Sequence, residues 1–68
     1  MDKQALIRDM KQAAGGASFI TVSQVTNYLG LKNNSRVKKE YLADLDRVGK
    51  MYYIPDVCQS LMDKRRAL

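Results

Sequence analysis

The chain has 68 residues, twelve Lys and Arg against seven Asp and Glu, a net charge of +5, one cysteine, one proline and no histidine. Such a length folds as one small domain, residues 1–68, that buries only about 60% of its unfolded surface, too little to wall off a deep catalytic cavity. Without histidine there is no His-based triad, zincin motif or histidine general base, and a lone thiol completes neither a zinc site nor an internal disulfide.

A non-enzymatic protein without metal or cofactor is therefore expected. Disulfide-free folding suits the cytoplasm. No apolar run nears the roughly 18 residues needed to span a membrane, and Met1-Asp2-Lys3-Gln4 does not open a signal peptide. The hydrophobic content of 46% is that of a folded domain and not of a basic tail. The pI near 9.6 favours a polyanionic partner, with nucleic acid ahead of a membrane surface or an acidic protein.

Residues 2–14 are rich in helix formers, start at Asp2 and space Leu6, Met10 and Ala14 helically beside Ile7, which predicts an amphipathic helix ending at Gly15-Gly16. Thr21 followed by Gln24, with Ile20 and Val25 at staple positions, predicts a capped helix from Val22. That helix is expected to bury Val22, Val25 and Leu29, keep Tyr28 at its margin and stop at Gly30, after which Leu31 returns to the core. Asn33-Asn34-Ser35 offers three N-caps for a third helix through about Leu45. Two helices joined by a tight glycine turn make a helix-turn-helix.

Asp46-Arg47-Val48 and Met51-Tyr52-Tyr53-Ile54, together rich in strand formers, flank Gly49-Lys50, a type II′ hairpin signature. Alternation sends Tyr52 and Ile54 inward, Met51 and Tyr53 outward. Pro55 ends the strand and opens a last helix that buries Val57, Cys58 and Leu61 with help from Met62, and whose basic end is Lys64-Arg65-Arg66. Cys58 reads as a small core residue.

On a helical wheel, Val37, Tyr41, Leu42 and Leu45 share the core side of the third helix, while Arg36, Lys39, Glu40 and Ala43 face out. Asn33, Asn34 and Ser35 stand at its tip. Asn and Arg pair bidentately with adenine and guanine edges, and the small Ala43 permits close approach, so this helix suits the major groove. An exposed basic face is more commonly only solvated; the tight turn before it, the +5 charge and the basic hairpin after it tip the reading to DNA. Arg47, Lys50 and Tyr53 are the hairpin's candidate contacts to phosphate or sugar. Glu40 and Asp44 oppose this, because carboxylates repel phosphates, although Glu40 can accept from a cytosine amino group.

Phe19-Ile20-Thr21-Val22 through Leu31, then Arg47-Val48-Gly49-Lys50-Met51-Tyr52-Tyr53-Ile54-Pro55, resemble the small winged helix-turn-helix proteins of the excisionase type, with MerR-type domains as distant relatives. In that family a hydrophobic-Thr-Val opening starts the first helix of the pair, and Arg-hydrophobic-Gly-basic-x-Tyr-x-Ile-Pro forms the wing. The resemblance implies a mainly α fold with a small β-hairpin, a winged helix-turn-helix over residues 19–66 preceded by an extra N-terminal helix. It also implies a DNA-binding accessory factor of a phage or mobile element that bends attachment-site DNA, steers an integrase or recombinase, or represses transcription. Three features depart from the pattern: the extra helix, a longer turn after Gly30 and a shorter connection from the third helix to the wing.

The expected function is sequence-specific binding of double-stranded DNA, with self-association on the DNA as a further expectation. The alternative is a protein-interaction module that binds an acidic partner through the same fold. A membrane-surface peptide fails, since the apolar stripes are needed for the core and the basic residues are scattered.

Overall fold

A computed structural model describes residues 2–66, with side chains through residue 64. Four helices and a three-stranded antiparallel sheet enclose one core, the molecule measuring 27 × 26 × 22 Å. The fold is mainly α with a small β component, as expected, but the β part is larger than a hairpin.

Helix α1, Lys3–Ala13, begins where the Asp2 side chain accepts from the Gln4 N–H at 3.2 Å. It buries Leu6 and Met10 and packs mainly on the last helix. Strand β1, Phe19–Thr21, runs directly into α2, Val22–Tyr28. At the junction the Thr21 N–H donates to Gln24 Oε1 at 3.0 Å, and the Gln24 N–H donates to Thr21 Oγ1 at 3.2 Å, which satisfies two otherwise orphaned donors. Ile20 and Val25 are fully buried. Val22 and Leu29, expected in the core, are only half-buried, and the fully enclosed partner of Val25 is Thr26. Its hydroxyl donates to the Val22 carbonyl at 2.9 Å, so the helix itself satisfies the polar group.

Helix α2 ends in a Schellman turn. Gly30 takes φ +74°, its N–H donates to the Asn27 carbonyl at 3.1 Å, and the Leu31 N–H donates to the Thr26 carbonyl at 3.0 Å. Nothing lies within 4 Å of a Cβ built at Gly30, so conformation and not space demands glycine there. The cap uses the Leu31 backbone and leaves its side chain 45% exposed, which corrects the expectation that Leu31 re-enters the core.

Helix α3, Asn34–Val37, is capped by Asn33, whose side chain accepts from the Arg36 N–H at 3.1 Å. It continues as a π turn over Lys38–Leu42 and stops there, short of the expected Leu45. In an α-helix Tyr41 would lie most nearly beneath Val37, with Leu42 about 140° round from Val37 at the edge of that broad core side. The wider turn, closed by i→i+5 bonds, brings Leu42 under Val37 instead. Both are 1% exposed, whereas Tyr41 is half-buried, and the Tyr41 carbonyl accepts from Ser60 Oγ of the last helix. Tyr41 is thus not the enclosed core aromatic that the wheel predicts.

Strands β2, Arg47–Val48, and β3, Met51–Tyr53, form the expected hairpin, with Arg47 opposite Tyr52 and Val48 opposite Met51. Gly49 has φ +63° and Lys50 does not have positive φ, as a type II′ turn requires. β3 is the central strand, because β1 pairs with its other edge in the register Phe19 to Tyr53, Ile20 to Tyr52 and Thr21 to Met51. The pairing continues into helix α4, Ile54–Arg66, whose Ile54 N–H donates to the Ser18 carbonyl at 3.0 Å. Ile54, Val57 and Cys58 are fully buried, and Leu61 and Met62 pack at the edge. Of the basic end of α4, the Arg65 and Arg66 side chains lie outside the described residues.

Candidate functional site

Three elements meet at an open groove of about 530 Å³. The start of α2 contributes Thr21, Val22 and Ser23, α3 contributes Asn34 and Ser35, the π turn after it contributes Lys38, and the hairpin contributes Arg47, Lys50 and Tyr52. The local signals explain how each arrives. The capping box sets where α2 begins, the Schellman turn sets the departure of α3, and the two-residue turn sends Lys50 out beyond Arg47.

The groove carries three cations and no carboxylate among its described residues. Lys38, Arg47 and Lys50 have no ionic partner among the described residues, where the sole ion pair is Arg36 Nε to Glu40 Oε1 at 3.0 Å. In the groove lining Asn34 Nδ2 donates to Ser23 Oγ at 3.1 Å, an exposed contact between α3 and α2. The result is a cationic trough with amide and hydroxyl groups in its lining, able to take an extended anionic ligand by charge and to present directional hydrogen bonds to it.

Of the residues predicted for such a site, the groove brings together Asn34, Ser35, Arg47 and Lys50. Asn33 and Arg36 line a different cavity with Leu31, Lys32, Val37, Glu40 and Tyr41. Lys39 and Ala43 are exposed but line neither. Tyr53 is 45% exposed on the outer face of the sheet, its ring 5.4 Å from that of Phe19, the residue opposite it on β1. Alternation therefore puts Tyr53 on the face away from Tyr52 and the groove.

Sequence reasoning missed Thr21, Val22, Ser23, Lys38 and Tyr52. For Lys38 a signal existed: it stands four residues after Asn34 and three after Ser35, the spacing of side chains that share a helix face. For Ser23 none did, because its contact depends on how two helices cross. Glu40 and Asp44 both stay outside the groove, Glu40 engaged with Arg36 and Asp44 in a separate hollow beside α4.

Two groups elsewhere depart from ordinary titration. Burial pushes the Cys58 thiol up to about 11, with Lys3 pulling weakly the other way, so Cys58 is a protonated core residue. Burial, aided by a hydrogen bond to Asp9, pushes the Tyr28 phenol up to about 12 and ties α2 to α1. Among the described residues no three His, Cys, Asp or Glu side chains gather to hold a metal ion, and no helix is long and apolar enough to cross a membrane. No protein-family model matches the chain, and neither does any curated protein or solved structure.

Proposed function

We propose that this chain is a winged helix-turn-helix protein that binds double-stranded DNA sequence-specifically and performs no chemistry of its own. α3 enters the major groove, which is about 12 Å wide and admits a helix, and the Gly49-Lys50 turn reaches a neighbouring stretch of backbone. One observation carries the reading: Lys38, Arg47 and Lys50 converge, free of carboxylates, on the trough that also holds the start of α3. The Arg47-to-Pro55 likeness to excisionase wings supports a role as a recombination directionality factor or small transcriptional regulator of a phage or mobile element. Its partners would be DNA, an integrase or recombinase, and further copies of itself on the DNA.

Titration of a mixed-sequence duplex at several salt concentrations tests this. Affinity should fall linearly on a log–log scale, with a slope near 0.9 per neutralised phosphate. Lys50→Ala and Arg47→Ala should weaken specific and non-specific binding alike, since contacts to phosphate position a protein without reading sequence. Absence of binding to any duplex at low salt would overturn the proposal in favour of an acidic protein partner in the same trough.

A further inference from the structure

Asn34, Ser35 and Lys38 are the residues that α3 and its π turn direct toward the groove. Among them Asn34 alone has its side chain held by another element, through the 3.1 Å bond to Ser23 Oγ. The Ser23 backbone is placed as the second residue of a helix whose start is pinned by the Thr21–Gln24 capping box. The Schellman turn at Gly30 then sets α2 and α3 at a defined spacing, so the contact joins two positions that the backbone holds.

An amide offers two donor protons and one acceptor oxygen. With one proton engaged by Ser23, the oxygen and the second proton remain for a ligand in the groove. That donor–acceptor pair complements adenine, which offers the N6 amino donor and the N7 acceptor in the major groove. The other polar residues of α3 suit the task less well. Lys38 is a compact point charge, appropriate to phosphate, and Arg36 is engaged by Glu40 and lines another cavity. A side chain already ordered before binding loses less rotamer freedom when the ligand arrives.

We infer that Asn34 reads an adenine in the groove and that Ser23 is the positioning residue that holds its amide for that contact. The inference rests on the DNA-binding reading and adds to it a named base and a named reader.

Selection of preferred sites from a randomised duplex pool, followed by affinity measurements with each position changed in turn, tests it on the full chain. The parent protein should select an A·T pair at one position, and G·C there should weaken binding about 5- to 150-fold. Asn34→Ala should abolish the preference at that position while the order of preference at every other position is kept. Ser23→Ala should reduce the same preference by a smaller factor, and Ser23→Thr should restore it. An Asn34→Ala protein that keeps the parent's full preference profile would overturn the inference while leaving DNA binding intact. So would a Ser23→Ala protein that melts early with its base preference unchanged. If no duplex binds, the DNA reading and this inference fall together.

Discussion

Two hollows on this small surface carry opposite charge. The groove among α2, α3 and the hairpin presents Lys38, Arg47 and Lys50 with no carboxylate, whereas the hollow between the end of the third helix and α4 presents Asp44, Asp56 and Asp63 beside Lys64. Asp46 and Arg47 are neighbours in sequence, yet only Arg47 reaches the groove. A net charge of +5 therefore understates the segregation. The screening length in physiological salt is about 8 Å, and the molecule's shortest extent is 22 Å, so a ligand at one hollow is largely shielded from charges on the far side of the molecule. What matters to a partner is the local field, and tertiary packing creates it.

That contrast depends first on the third helix being held in place. Leu42→Ala should cost about 2–5 kcal/mol in urea unfolding, a large share of the roughly 5–15 kcal/mol typical of a domain. Tyr41→Ala, at a half-buried position, should cost clearly less. The reverse order would mean that the helix follows an α register and that the groove wall is set differently.

The contrast itself is tested by removing each set of charges. Lys38→Ala, Arg47→Ala and Lys50→Ala combined should lower the salt slope of duplex binding by about 0.9 for each phosphate that is no longer neutralised. Asp44→Asn, Asp56→Asn and Asp63→Asn combined should leave that slope as it was. Equal effects from the two triple variants would show that overall charge, and not the groove, drives binding.

A third region calibrates these measurements at high pH. Tyr28 is raised from 10.0 to about 12 on folding, so the folded chain holds that proton more tightly. Its stabilisation is complete below the unfolded value and is lost as pH rises through the folded one. Cys58, raised from 9.0 to about 11, adds a loss of the same sign that begins earlier. Melting temperature should fall across pH 10 to 12, and Tyr28→Phe should make that decline shallower. An unchanged decline would show that Tyr28 does not titrate differently in the folded protein.

The smallest effect is expected at Arg36. It is largely exposed and paired with Glu40 one turn on, and such surface pairs contribute about 0.3–0.5 kcal/mol. Arg36→Ala should therefore change stability by no more than that. It should also change duplex affinity less than Lys38→Ala does, if the groove is bounded as the structure has it.

The helix starts at Asp2 and Thr21, the stop at Gly30 and the hairpin at Gly49-Lys50 were legible because each rests on a hydrogen bond or a backbone angle within a few residues, while for the third helix the sequence offered three caps, of which Asn33 is the one used. The inward Tyr52 and outward Tyr53 were legible for a related reason, since alternation along a strand is a property of the strand itself. Strand β1 was not. Three residues long, it exists because β3, thirty or more positions later, offers a free edge, and nothing in Phe19-Ile20-Thr21 distinguishes that from the approach to a helix.

By itself, then, the sequence determined the order of the helices, their caps, the turn and most of the core, all through interactions among near neighbours. Only the tertiary structure decided the π turn that encloses Leu42 and leaves Tyr41 half-buried, the exposure of Leu31, the contact of Asn34 with Ser23 and the gathering of Lys38, Arg47 and Lys50 on a groove that no described carboxylate lines. The physical reason is common to all four. Each depends on the distance and angle at which separate elements pack, and those are settled by the shapes of side chains drawn from the whole chain into one core.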